Sequence, residues 1–89
     1  MKITKRRGSI VLYDDEKLIN SMLKANAGTA EELTPRAAAY LSDVVIGRLA
    51  KAHDIITTEQ IREGVYEALR ENGLVMTAER YKKYIKEQQ

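Results

Sequence analysis

The 89-residue sequence predicts an α+β fold that is mainly α: a four-helix bundle capped by a small N-terminal β-hairpin or three-stranded sheet, in a single domain over 1–89. Three observations predict it. β-forming residues gather in the first thirteen positions around a glycine-bearing turn. Four later segments repeat apolar residues at helical spacing. Between those segments stand side chains that start and stop helices.

Residues 2–13 read as the hairpin. Ile3 and Thr4 begin one strand, and Ile10, Val11, Leu12 and Tyr13 form a second rich in β-formers. Arg6-Arg7-Gly8-Ser9 lies between them, and Gly8 accepts the positive φ that tight hairpin turns need. Asp14 and Asp15 then cap a first helix, because carboxylates accept from its free amides and suit the positive end of its dipole. Leu18, Ile19, Met22 and Leu23 give that helix one apolar stripe, and Ala27-Gly28 ends it.

Thr34-Pro35 opens a second helix, with threonine as N-cap and proline at the first helical position. Its stripe is Ala38, Leu41, Val45 and Leu49, widened by Val44 and Ile46, which makes it the most central helix. Ile55-Ile56 predicts a brief third strand. Thr57-Thr58-Glu59-Gln60 has the form of a capping box, with Thr57 as cap and Gln60 three residues on. Ile61, Val65, Ala68 and Leu69 are the inner face of the third helix, and Asn72-Gly73 its stop. Thr77 is the expected cap of a fourth helix that runs to about Glu87, with Ala78, Tyr81 and Ile85 inward. A small sheet would sit against these helices, because each has one face to bury.

Composition narrows the chemistry. With no cysteine, disulfides, a zinc ribbon and thiol catalysis are excluded. His53 is the sole histidine, so a metal site is improbable. Ser9, Ser21 and Ser42 are scattered without an activating base. No apolar run approaches the roughly 18 residues of a membrane span, and a cytoplasmic address fits. The five tyrosines, Tyr13, Tyr40, Tyr66, Tyr81 and Tyr84, read as mostly core or interface.

The net charge of +2 is unevenly spread. Lys2, Lys5, Arg6 and Arg7 occupy the first seven residues, and Arg80, Lys82, Lys83 and Lys86 crowd the last ten. Between Gly8 and Glu79, seven basic residues face twelve acidic ones. If the two basic ends meet, they make one cationic site suited to a polyphosphate or a nucleic-acid backbone. The plain alternative is two solvated termini.

Lys5-Arg6-Arg7-Gly8 is the sharpest local feature. Lys and Arg supply the charge and the N–H donors a phosphate needs, and glycine lets the backbone come close. Lys17 at the start of the first helix could add a phosphate contact, near amides that themselves favour anions. Asp14 could hold a sugar hydroxyl or the adenine amino group, although a cap explains it equally well. Thr57 and Thr58 are caps first, with a hydroxyl that could face a ligand. No Walker-type glycine loop can be built from Gly8-Ser9.

Four blocks, in order, make the chain resemble the ATP-cone family over nearly its whole length. They are Ile3-Thr4-Lys5-Arg6-Arg7-Gly8; Val11-Leu12-Tyr13-Asp14 with Lys17-Leu18-Ile19; Ile56-Thr57-Thr58-Glu59-Gln60-Ile61 with Val65 and Leu69; and Ala78 through Tyr84-Ile85-Lys86. No single block is specific. The resemblance implies a nucleotide site under a three-stranded cap. It implies phosphate contacts from Lys5, Arg6 and Lys17, with Ile3 lining the adenine or sugar side. Asp14 would hold base or ribose, Thr58 (less readily Thr57) would touch the nucleotide, and Lys86 would be a last contact. Arg7 departs from the Asp or Asn common before the glycine, and Val11 stands where some members carry an acid.

By the same resemblance, the chain is an allosteric module that binds ATP or dATP, with Mg2+, and has no catalytic site of its own. Its partner would be a ribonucleotide reductase subunit whose overall activity it controls, with self-association through the cone. Other members belong to a transcriptional regulator, behind a zinc ribbon. This chain starts with the cone and has no cysteine for a ribbon, so the reductase setting is favoured. The competing reading is a small basic nucleic-acid-binding module. The acidic centre of the chain argues against it, since it would repel a duplex.

Overall fold

The computed structural model describes the backbone of Lys2–Thr4, Ile10–Leu12 and residues 14–87, and the side chains of residues 14–84. Strands β1 (Lys2–Thr4) and β2 (Ile10–Leu12) lead into helix α1 (Asp15–Asn26). Helix α2 (Pro35–Ala52), strand β3 (Ile56–Thr57), and helices α3 (Thr58–Glu71) and α4 (Val75–Glu87) follow.

The predicted fold class is corrected by this content: the chain is a four-helix protein, not an α+β domain with a three-stranded sheet as its cap. The helices have 12, 18, 14 and 13 residues, whereas the extended segments have three, three and two. β1 pairs antiparallel with β2 over Lys2↔Leu12, Ile3↔Val11 and Thr4↔Ile10. It pairs parallel with β3 over only Ile3↔Ile56 and Thr4↔Thr57. Such ladders fasten chain segments together, but they are below the usual strand length of about five residues and build no layer of their own. The β-formers at Ile3, Thr4 and Ile10–Leu12 signalled extended backbone correctly; the intervening turn residues and Tyr13 lie outside the described residues.

The helix punctuation is local and follows the sequence closely. Asp14 is the N-cap of α1, its carboxylate accepting from the Lys17 amide. Thr34 caps α2 ahead of Pro35. Thr57 and Gln60 close a reciprocal capping box on α3, with Gln60 N–H on Thr57 Oγ1 at 3.1 Å and Thr57 N–H on Gln60 Oε1 at 2.9 Å. At the far end of α3, Gly73 takes φ +79°. The Leu74 amide then reaches Leu69 O, and the Gly73 amide reaches Arg70 O, which is the Schellman pattern.

α4 begins differently from the expectation. Thr77 is not its cap; it lies inside the first turn, fully buried, and its hydroxyl donates to Glu31 instead of accepting from an amide of that turn. The cap acceptor is Glu31, from the connection between α1 and α2. Its carboxylate takes the Met76 amide at 2.9 Å, the Thr77 amide at 2.7 Å and the Thr77 hydroxyl at 2.7 Å. Asn26 extends the network by donating to Thr77 Oγ1 and to Glu31 O. A carboxylate at a helix N-terminus also meets the positive end of the dipole. At the other end of the same contact, Arg80 donates to Ala25 O and so satisfies a carbonyl of α1's last turn.

The core is drawn from all four helices: Met22, Val45, Val65, Leu69 and Tyr81 are its largest fully buried apolar or aromatic side chains. Each such burial contributes about 1.5–3 kcal/mol relative to exposure. Ile56 brings β3 into the same cluster. α2 and α3 approach closely at Gly64, where an added Cβ would lie 2.8 Å from Val45 Cγ1. The tyrosines divide: Tyr81 is core, Tyr66 and Tyr84 are half-buried, and Tyr40 is 66% exposed.

Candidate functional site

Ile3, expected to line the adenine or sugar side, lies on β1. It is paired with Val11 on one side and Ile56 on the other. β2 runs directly toward Asp14 and the start of α1, and β3 runs directly into α3. β1 therefore has the N-terminal ends of two helices on its flanks. Free amides and positive dipole ends make such termini favourable to anions.

At the start of α1, Asp14 is exposed, and its Oδ1 accepts the Lys17 amide at 3.2 Å. Among the described residues, the amide of Lys17 is a hydrogen-bond partner of this carboxylate. Lys17, three residues on, is exposed. At the start of α3, the Thr57 hydroxyl is committed to the capping box. Thr58 is half-buried and already takes part in an interaction of its own. It is the first residue of α3, directly after the residue that pairs with Thr4.

Of the residues anticipated for nucleotide contact, Ile3 lies on β1, Asp14 and Lys17 at the start of α1, and Thr58 at the start of α3. Lys5 and Arg6 lie outside the described residues, as do Arg7, Gly8 and Tyr13. Lys86 belongs to the last turn of α4, and its side chain also lies outside the described set.

Two of the other C-terminal cations have separate engagements. Arg80 is bound to Ala25 O, and the Lys82 ammonium stands 5.4 Å from the Tyr66 ring centroid. Arg70 covers the same ring at 5.6 Å and donates to the Tyr66 hydroxyl, which in turn donates to Glu79 at 2.6 Å. This cluster ties α3 to α4. It places Lys82 over an aromatic face, where a cation is attracted by the ring quadrupole.

One polar pair near the site was not visible in the sequence. Ser42, fully buried in α2, donates to Asp15 Oδ1 at 2.8 Å. Sequence reasoning took Asp15 as a cap and Ser42 as one of several scattered serines. The burial of Ser42 was legible, since it lies on the Ala38, Leu41, Val45 face of α2; its partner 27 residues away was not. Tyr81, on α4, is buried behind the same bundle, and burial pushes its hydroxyl up to about 12, against the opposing pull of Arg62 and a hydrogen bond with Ser21.

Among the described residues there is no group of three His, Cys, Asp or Glu placed to hold a metal ion. Also among them, no helix is long and apolar enough to cross a membrane.

The model of the ATP cone domain family matches residues 1–89, the full length of the chain. The chain belongs to the ATP-cone family. No curated protein matches it. An ATP cone is a nucleotide-binding allosteric regulatory module without a catalytic site of its own, and ATP or dATP is its effector. That chemistry is compatible with the free amides at the starts of α1 and α3 and with the exposed Lys17.

Proposed function

We propose that this ATP cone senses ATP and dATP for a ribonucleotide reductase, raising or lowering its overall activity, as a single domain over 1–89 acting in the cytoplasm. The observation that carries the reading is the family match across the entire chain. In this reading Lys5, Arg6 and Lys17 bind phosphates, since charge-assisted bonds from Lys and Arg are the strong ones. Ile3 lies against the adenine or sugar. Asp14 uses the oxygen not held by the Lys17 amide to accept from a ribose hydroxyl or the adenine amino group. Thr58 donates or accepts from the start of α3, and Lys86 closes the site from α4.

Mg2+ would accompany the triphosphate, held mainly by phosphate oxygens and water as that ion prefers. The reductase responds if the two nucleotides favour different associations of the cone, either with itself or with the reductase subunit. A ligand shifts such an equilibrium only by its differential affinity for the two states. The difference between ATP and dATP is one hydroxyl, so a residue that reads the ribose is required.

Calorimetric titration with ATP, dATP and GTP tests the reading. Saturable binding of both adenine nucleotides, with GTP clearly weaker, is expected. At about 100 times its dissociation constant, a ligand should add roughly 2.7 kcal/mol of stability. An unchanged melting temperature at millimolar ATP would refute nucleotide binding.

A further inference from the structure

The first turn of α1 is held against α2 by a contact that lies behind the proposed nucleotide residues. Ser42 sits on the inward stripe of α2 between Leu41 and Val45, with 0% relative exposure. A hydroxyl at such a position costs free energy unless it is hydrogen-bonded, and alanine would be the better helix former. The hydroxyl is bonded, to Asp15 Oδ1 at 2.8 Å. Because the acceptor is a carboxylate, the bond is of the stronger, charge-assisted kind. Both residues also take part in a further interaction.

Asp15 is the first residue of α1. Asp14 precedes it, and the bond from the Lys17 amide to Asp14 closes the turn that contains all three residues. Asp14, Asp15 and Lys17 therefore share one hydrogen-bonded turn. A contact that pins Asp15 to α2 therefore sets where Asp14 and Lys17 point.

We infer that Asp15 and Ser42 are positioning residues for the nucleotide site: their hydrogen bond fixes the first turn of α1 on α2 and so aims Asp14 and Lys17 at the ligand. The inference rests on the reading that those two residues meet ATP or dATP. Ser42 itself acts from the interior, through Asp15.

The test is calorimetric titration of the full chain with ATP, for the parent, Ser42→Ala, Lys17→Ala and the double variant, with ligand-free melting temperatures measured alongside. Ser42→Ala should weaken ATP by roughly two- to tenfold, within the range of couplings between linked residues. In the Lys17→Ala background that loss should shrink, because one of the contacts it aims is already gone. Asp15→Asn, which keeps an acceptor oxygen, should retain most of the affinity. Asp15→Ala, a change at an exposed position, reports on the same contact if Ser42→Ala does not fold.

A purely structural pair would lower the melting temperature and leave equal affinity losses in both backgrounds. That result, or parent-like ATP affinity in Ser42→Ala, overturns the inference while leaving the nucleotide reading intact. A parent chain that binds no adenine nucleotide overturns both.

Discussion

Thr77 Oγ1 donates to Glu31 Oε1 at 2.7 Å and joins the α1–α2 connection to the first turn of α4 across 46 residues. The same carboxylate takes two amides of that turn, so one acid does the work that a cap residue usually does locally. Thr77→Val keeps the shape and removes the hydroxyl. It should destabilise the chain by about 1–3 kcal/mol, since buried partners lose a bond. For a domain of this size each kcal/mol corresponds to roughly 4–8 °C of melting temperature. Nucleotide affinity should not change, which titration beside thermal unfolding would check.

Acid should act on the same network. Burial pushes the Glu31 carboxyl up, but bonds from the Met76 and Thr77 amides, the Thr77 hydroxyl and the Val75 amide together hold it below its ordinary 4.5. A lowered carboxylate value contributes stability that is present above pH 4.5 and is lost as pH falls through the folded-state value. Melting temperature followed from neutral pH downward should drop through that window. Glu31→Gln cannot titrate, and its curve should lie lower at neutral pH and fall less steeply below pH 4.5. Parallel curves for the two proteins would show that other acids govern the transition.

Alkali should act through Tyr81. Its hydroxyl is pushed up from 10 to about 12, chiefly by burial. The raised value means that stability is complete below pH 10 and is lost as pH rises toward 12, by roughly 2–3 kcal/mol over that interval. Tyr81→Phe should remove this contribution to the alkaline loss. At neutral pH it should cost about 0.5–1.5 kcal/mol for the bond with Ser21. Denaturant midpoints measured at pH 7 and above pH 10 would separate the two effects.

Packing between α2 and α3 should tolerate no side chain at position 64. The Cβ of Gly64→Ala would meet Val45 Cγ1 at 2.8 Å, with Leu49 Cδ1 at 4.0 Å behind it. Alanine gains up to about 1 kcal/mol in helix propensity, while overpacking costs about 1–3 kcal/mol. The net should be destabilising. Adding Val45→Ala should recover part of the loss, because it removes the methyl that clashes. A stabilised Gly64→Ala chain would mean that Val45 shifts at little cost.

Nucleotide contacts should separate from general electrostatics. Lys5→Ala, Arg6→Ala and Lys17→Ala should each weaken ATP by about ten- to a hundredfold, the worth of one charge-assisted bond of about 1.5–3 kcal/mol. Lys24 and Lys51, exposed in the last turns of α1 and α2, are the controls and should behave like the parent. Equal losses for Lys24→Ala and Lys5→Ala would mean that ATP responds to net charge rather than to a site.

Much of this molecule was readable before any fold was known. The caps at Asp14, Thr34 and Thr57, the Gly73 stop and the buried stripes of the helices all follow from residues within a turn of one another. Asp14 and Lys17 could likewise be put at a helix start, and Thr58 beside a cap, on spacing alone. Local hydrogen-bonded rings close over three or four residues, so the spacing of side chains along the chain encodes them.

Other features depend on how the helices pack, and their partners are far apart in sequence. Glu31 as the cap of α4, Ser42 against Asp15, Arg80 on the carbonyl of Ala25 and the close approach at Gly64 join residues 19 to 55 positions apart. The extent of strand pairing is of the same kind, since β-formers advertise extended backbone but not how many partners it will find. The sequence by itself determined where the helices start and stop and which face each one buries. The tertiary structure alone decided which distant polar groups meet and how closely the helices approach, because those bonds form only when separate helices are held at one relative rotation and height, and a one-dimensional pattern carries no such coordinate.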